Sequence, residues 1–241
     1  MKLPAIEGII RRRILVNYRV APDAMQAQLP SLFRPKLQQG FAIGGICLIR
    51  LEQIRPRGMP ALMGMSSENA AHRIAVLWED ENGKTREGVY IPRRDTNSRL
   101  SRLAGGRLFP GEHHAAKFEI NDDGGNVQFA MRSEDGETAV EVRGSEADRL
   151  PVTSAFRTLA EASDFFKAGS LGYSATSNGT RLDGMTLETA TWQVRPLYVQ
   201  HVQSSFFSDA ARFPDGSVTF DCALIMRDIG HEWRSAPCLC L

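Results

Sequence analysis

The chain has 241 residues, 42% of them hydrophobic, and 29 basic side chains stand against 28 acidic ones. A net charge of +1 with a pI near 7.7 excludes the strongly basic balance of a dedicated nucleic-acid binder. No run approaches the ~18 apolar residues that cross a bilayer, and the hydrophobic fraction is too high, at so low a net charge, for disorder. A chain this long buries roughly 70–75% of its extended surface on folding, so a single domain over residues 1–241 is expected, without staples.

The segment Met1–Glu7 has no long apolar stretch and no small-residue cleavage site, so no secretory signal is expected and the compartment reads as cytoplasmic. Cys47, Cys222, Cys238 and Cys240 then read as free thiols. The Cys238-Leu239-Cys240 tail lacks a second Cys or His pair at ligand spacing, so no metal is expected there.

In chain order, Ile14–Tyr18 reads as a strand, and Ala21-Pro22-Asp23 opens a short helix that runs to Leu29, with proline in its first turn. Phe41–Leu51 is almost wholly apolar and reads as a strand buried on both faces. Ile74–Trp78 and Val89–Ile91 flank Glu81-Asn82-Gly83-Lys84, a hairpin signal. Asn97–Leu103 reads as a short helix closed by Gly105-Gly106. Lys117–Ile120, Val127–Arg132 and Thr138–Val142 form a meander joined by glycine-containing turns. Thr158-Leu159-Ala160-Glu161 fits a capping box for a helix to Lys167, stopped by Gly169. Thr186–Val194, Tyr198–Ser204 and Ser217–Ile225 complete the strands. This spacing predicts a mainly β, α+β fold, an antiparallel barrel or sandwich with a few short helices, rather than alternating βαβ units.

Several catalytic signatures are missing. There is no G-x-S-x-G elbow, no G-x-G-x-x-G after a strand and no complete P-loop around Gly83-Lys84-Thr85. His113 and His114 are adjacent, and on a strand their rings point to opposite faces, so they cannot chelate one ion together. The basic side chains are 24 arginines and five lysines (Lys2, Lys36, Lys84, Lys117, Lys167). Guanidinium keeps its proton near neutral pH, so it cannot serve as an amine nucleophile. Arg86, Arg93, Arg94, Arg99, Arg102 and Arg107 crowd one stretch. That stretch is either a solvated charged face or an anion site, since guanidinium grips carboxylate or phosphate through two parallel hydrogen bonds.

Four segments, in order, resemble acetoacetate decarboxylase. Tyr18-Arg19 with Pro22–Met25 and Leu29-Pro30 resembles its opening strand-to-helix turn. Leu48-Ile49-Arg50-Leu51-Glu52 is similar to its Leu-Val-Arg-Phe-Glu strand, and Ser66-Ser67-Glu68 to its Thr-Glu-Ser segment. Arg86-Glu87, followed after four residues by Pro92-Arg93-Arg94, is similar to its Arg-Glu-x₄-Pro-Lys-Lys signature. The likeness spans roughly residues 11–145. The remainder, with Gly169-Ser170-Leu171-Gly172-Tyr173-Ser174 and Pro214-Asp215-Gly216, looks more like an uncharacterised bacterial branch of that superfamily.

The resemblance implies a mostly antiparallel β-barrel with helices packed outside. In that family the first lysine of Pro-Lys-Lys attacks a ketone as a Schiff-base nucleophile, its pKa lowered by the second lysine and an apolar pocket. The matching positions here are Arg93 and Arg94, so the covalent step is expected to be lost while the pocket remains. Glu52 and Glu68 match the pocket glutamates and Arg11 an N-terminal family arginine. The resemblance thus nominates Glu68, Glu52 and Arg93 as catalytic residues and Arg93, Arg94, Arg11 and Tyr90 as ligand contacts, with no cofactor. The expected ligand is a small organic acid or ketone. Two other readings stand beside an enzyme: a non-catalytic binder of an anionic metabolite, and an interaction module using Arg86–Arg107. Neither nucleic acid nor membrane is expected as a partner, and the family likeness implies homo-oligomers.

Overall fold

A computed structural model describes residues 5–99, 111–176 and 179–240 of the chain. The elements run β1 (Ile6–Val20), α1 (Pro22–Gln26), β2 (Arg34–Pro35), β3 (Leu37–Gln38), β4 (Phe41–Pro56), a 3-10 turn (Ala61–Met63), β5 (Met65–Glu79), β6 (Thr85–Thr96), β7 (His113–Asp122), β8 (Asn126–Ser133), β9 (Ala139–Glu146), α2 (Leu159–Ala168), β10 (Leu171–Ala175), β11 (Arg181–Thr189), β12 (Arg195–Ser204) and β13 (Val218–Cys240). The protein is mostly β, as the spacing of apolar runs predicts. All thirteen strands belong to one sheet. The sheet is mixed, because β6 pairs in parallel with both β10 and β7, while the other pairings among the described residues are antiparallel.

The pairing path closes on itself twice. One circuit runs β6-β7-β8-β9-β12-β13-β1-β4-β5 and the other β6-β10-β11-β13-β1-β4-β5. The shared strands are therefore covered on both faces, which explains why β4 reads as apolar on both: every residue from Ala42 to Ile49 is buried. Alternation then sorts side chains into two cores. Ile14, Val16, Ile46, Leu48, Ile74 and Phe129 enter one cluster, and Leu15, Ile49, Leu51, Phe156, Phe165 and Phe166 enter the other. Each such side chain contributes roughly 1.5–3 kcal/mol on burial. Within β4 a Cβ at Gly45 would lie 2.2 Å from the Val16 carbonyl oxygen, so only glycine lets β1 approach so closely.

Local signals held where the chemistry is local. Gly83 takes φ +71° in the β5–β6 turn, and the Asp80 carboxylate accepts from the backbone N–H groups of Asn82 and Lys84, both at 3.0 Å. Thr158 caps α2, its Oγ1 accepting from Glu161 N at 3.1 Å, while the Glu161 carboxylate reaches back to Arg157 N at 2.7 Å. Because α2 buries Phe165 and Phe166, loss of the cap is felt globally. Thr158→Ala is expected to lower the unfolding free energy by about 1 kcal/mol, read as a lower urea midpoint at unchanged slope.

Three expectations on extent are corrected, and one strand is additional. Helix α1 ends at Gln26 rather than Leu29. Strand β11 covers Arg181–Thr189 rather than Thr186–Val194. Strand β10 was not foreseen. Strand β13 continues from Ile225 to Cys240 through Arg227, Asp228, Gly230, Glu232, Arg234 and Pro237, because β1 and β11 supply its hydrogen-bond partners. The helix expected at Asn97–Leu103 extends outside the described residues. Among those described, no helix is long and apolar enough to cross a membrane.

Candidate functional site

The second circuit encloses a cavity of about 150 Å³. All seven of its strands contribute to the wall, including Arg13 of β1, Cys47 of β4, Arg73 of β5, Arg94 of β6, Gly172 of β10 and Met185 of β11. Phe166 of α2 closes one side. An engineered void of about this volume holds a benzene-sized guest, so the space suits a ligand of roughly half a dozen heavy atoms.

A bulge aims β6 into this cavity. His72 pairs with Arg93 and Ile74 with Tyr90, so Arg73 alone opposes both Ile91 and Pro92. Such a two-against-one register re-aims the following side chains, and proline, having no N–H to donate, fits there. The strand changes neighbours at the same place, from β10 at residues 89–90 to β7 at 94–96. Val89, Ile91 and Arg94 consequently share the cavity wall.

Arg93 faces the other way. Its guanidinium meets Asp95 at 2.9 Å, Asp135 at 2.7 Å and Glu137 at 2.6 Å. The argument that separates His113 from His114 also separates Arg93 from Arg94. His113 lines the cavity, whereas His114 Nδ1 lies 3.1 Å from Asp135.

The expected convergence of Arg93, Arg94, Glu52 and Glu68 on one pocket is corrected accordingly: of these, the cavity wall holds only Arg94. Glu68 alternates with the wall residues Ser67 and Asn69 on β5, so it points to the opposite face. There it is buried and receives Arg12 at 2.7 Å, with Arg50 at 3.8 Å. Burial raises its pKa against the pull of Arg12. Glu52 is gripped by Arg11 at 2.9 Å and reached by Arg50 at 3.5 Å; the Arg11 hydrogen bond lowers its pKa. Arg11 is exposed and also pairs with Asp228 at 2.6 Å. Tyr90 packs against Phe33 in the first core, ring centroids 5.7 Å apart, and burial raises its pKa. Arg86, from the proposed basic cluster, is bound to Asp80 at 2.7 Å; Arg102 and Arg107 lie outside the described residues.

The sequence reading missed Arg13, Arg73 and Cys47. Arg13 Nε donates to Cys47 Sγ at 3.2 Å, and its guanidinium lies 5.7 Å from the Trp192 ring. Arg73 donates to the Asn17 side-chain oxygen and stacks 4.8 Å from the Phe166 ring centroid. Its Nε is buried with no partner. Arg94 Nε donates to Ser174 Oγ at 3.2 Å. Among the described residues none of the three arginines has a carboxylate partner. Asp95 also touches the wall, but its carboxylate is turned to Arg93 and Thr138.

Burial lowers the pKa of Arg73 and of Arg94 to about 10, so both remain charged at neutral pH. His113 is pushed down to about 4, first by burial and then by the charge of Arg94, and is neutral there. Among the described residues no group of three His, Cys, Asp or Glu is placed to hold a metal. The arrangement is a small, partly apolar chamber whose wall carries a thiol and three arginines without a carboxylate partner among the described residues.

This architecture is that of the acetoacetate decarboxylase-like proteins. The fold matches an acetoacetate decarboxylase from Legionella pneumophila, with a TM-score of 0.59 and 12% identity over 98% of this chain and 88% of that one. An acetoacetate decarboxylase-like enzyme from Sphingomonas wittichii matches with TM-score 0.59 and 12% identity, covering 99% and 92%. The enduracididine biosynthesis enzyme MppR, in a structure complexed with pyruvate, matches with TM-score 0.58 and 12% identity, covering 100% and 91%. In sequence, residues 10–222 match the model of DUF2071, an uncharacterized conserved protein family, and the chain belongs to that family. No curated protein matches it in sequence.

Proposed function

We propose that this protein binds a small organic acid, of the 2-oxo acid class, in the three-arginine cavity, and that it does so without a lysine Schiff base. The observation that carries the reading is the unpaired state of Arg13, Arg73 and Arg94. A buried charge without a counter-charge is costly; Arg73 is buried and Arg13 and Arg94 are half-buried on the same wall, and an anionic ligand would complete all three. Guanidinium binds a carboxylate through two parallel hydrogen bonds. Ile49, Ile91 and Trp233 would take the ligand's carbon skeleton. MppR, which shares the fold, has been seen with pyruvate, and pyruvate is of the size the cavity admits.

Two observations support a chemistry other than Schiff-base decarboxylation. The wall carries no lysine among the described residues, and arginine at the matched positions is not an amine nucleophile. Binding is favoured ahead of turnover, because neither Glu52 nor Glu68 reaches the wall to act as general base.

The test is a thermal-shift series with pyruvate, acetoacetate and their neutral amides. At a hundredfold excess over Kd the acids are expected to raise Tm by about 5 °C or more. The amides should leave Tm unchanged, and Arg94→Met should abolish the acid effect. Borohydride with acetoacetate is expected to trap no adduct. No shift with any acid would sink the binding reading, and a trapped lysine would sink its chemistry.

A further inference from the structure

The cavity holds a group that anion binding alone does not use. Cys47 lies on β4 at 7% exposure, within the wall. Its sulfur accepts a hydrogen bond from Arg13 Nε at 3.2 Å, and Arg73 and Arg94 line the same wall. Arg73, on the same wall, is only 5% exposed, its Nε has no hydrogen-bond partner, and no carboxylate balances its charge among the described residues. A cysteine sulfur held at a cavity wall by a guanidinium hydrogen bond is positioned as a nucleophile toward a guest in that cavity. Cys222 lies outside this wall, buried beside Asp221, and its thiol pKa is pushed well up, chiefly by burial; the thiols of Cys238 and Cys240 are on the exposed end of β13.

We propose that Cys47 is a nucleophilic thiol directed at carboxylates whose adjacent carbon is electrophilic. The inference rests on the anion-binding reading: the arginines hold the carboxylate and thereby bring its α-carbon to Sγ. With a 2-oxo acid the step is reversible addition. The S–C bond forms, the carbonyl π pair moves to oxygen, and that oxygen takes the proton released by the thiol. The product is a thiohemiketal, and no oxidant or cofactor is consumed. With iodoacetate the same geometry gives displacement: the S–C bond forms, the C–I bond breaks and iodide leaves.

The experiment alkylates the wild-type chain in parallel with iodoacetate and with neutral iodoacetamide, and follows each cysteine by peptide mass spectrometry. Ordinary thiols prefer the neutral reagent. At Cys47 the order is expected to invert, with iodoacetate faster by at least about tenfold, the scale on which a charged cleft concentrates an opposite charge. Pyruvate should protect Cys47 but not Cys238 or Cys240, and Arg94→Met should restore the ordinary order. In carbon NMR with pyruvate labelled at C2, a protein-bound tetrahedral carbon signal distinct from that of pyruvate hydrate is expected with wild type and not with Cys47→Ala. Retention of the pyruvate thermal shift in Cys47→Ala would support separate roles for the thiol and the arginines. If pyruvate raises Tm but iodoacetamide is the faster reagent at Cys47, the nucleophile proposal is overturned and anion binding stands. If pyruvate neither raises Tm nor protects Cys47, both fall.

Discussion

Methionine at position 93 is expected to cost 3–5 kcal/mol of stability, while methionine at position 94 leaves stability within about 1 kcal/mol of wild type or above it and removes ligand binding. The two residues are neighbours of identical chemistry, so the difference lies in their surroundings. Arg93 neutralises three carboxylates, one of which, Asp95, is fully buried. Truncating one member of such a set strands the others, and an uncompensated buried charge is the expensive outcome. Burial already raises the pKa of Asp95 even with Arg93 in place, so in the variant this carboxyl would take up a proton and limit the loss. Arg93 also ties β6 to the Asp135-Gly136-Glu137 turn between β8 and β9. Its removal should therefore loosen two elements at once. Arg94 has one hydrogen bond, to Ser174, and no counter-charge among the described residues. Replacing it gives up a single neutral acceptor and relieves a desolvated cation. Urea denaturation of both variants with and without pyruvate decides the matter. Equal losses at the two positions would mean that Arg94 is a structural residue, and the anion site would need another basis.

The sequence carries most of this fold in its local signals and much less of the site. The Asn82-Gly83 hairpin, the Thr158 cap and the β7–β9 meander each depend on a few consecutive residues, so their chemistry can be read directly. Strand β13 cannot be read this way beyond Ile225, because its second half is polar, interrupted by Gly230 and Pro237, and held by partners far away in the chain. The site fails for a related reason. Motif matching nominates residues by spacing, but on strands a shift of one position changes the face. Glu68 and Arg93 are each one residue from a wall position. The missing signal was partly available: adjacent arginines on a strand must diverge, and the apolar run Phe41–Leu51, buried on both faces, leaves Cys47 as its thiol facing one interior. The bulge at Ile91-Pro92, which chooses Arg94 rather than Arg93 for the cavity, depends on a register that only the paired strands reveal.

Acidification from pH 6.5 toward 4 is expected to unfold the protein, and His72 is expected to account for much of the effect. His72 is fully buried against Phe206, ring centroids 4.6 Å apart, and neither ring nitrogen has a hydrogen-bond partner. Burial, reinforced by the charges of Arg93 and Arg212, lowers its pKa to about 3. His113 and His231 are lowered to about 4, again chiefly by burial. In the unfolded chain these rings titrate near 6.5. Between that value and the folded pKa the unfolded state binds more protons, so stability falls as pH falls. Each histidine contributes a slope of up to about 1.4 kcal/mol per pH unit, and three acting together would exhaust a stability of ordinary size (roughly 5–15 kcal/mol) within a few pH units. Glu68 and Asp95 work in the opposite sense. Burial raises their folded pKa values, so they take up protons earlier in the folded state and soften the decline. The carboxylates held low, such as Asp135 with its Ser133 hydrogen bond, add their loss only below the ordinary carboxylate range. The histidine phase is therefore separable. Denaturant unfolding at pH 7.5, 5.5 and 4.5 should show a steep loss in wild type, and His72→Leu should flatten it by about one histidine's slope and move the acid midpoint downward. A stability that stays level across that range would mean that the buried rings are already charged in the folded protein, and would require an acidic or solvent partner that the packing around Phe206 does not provide.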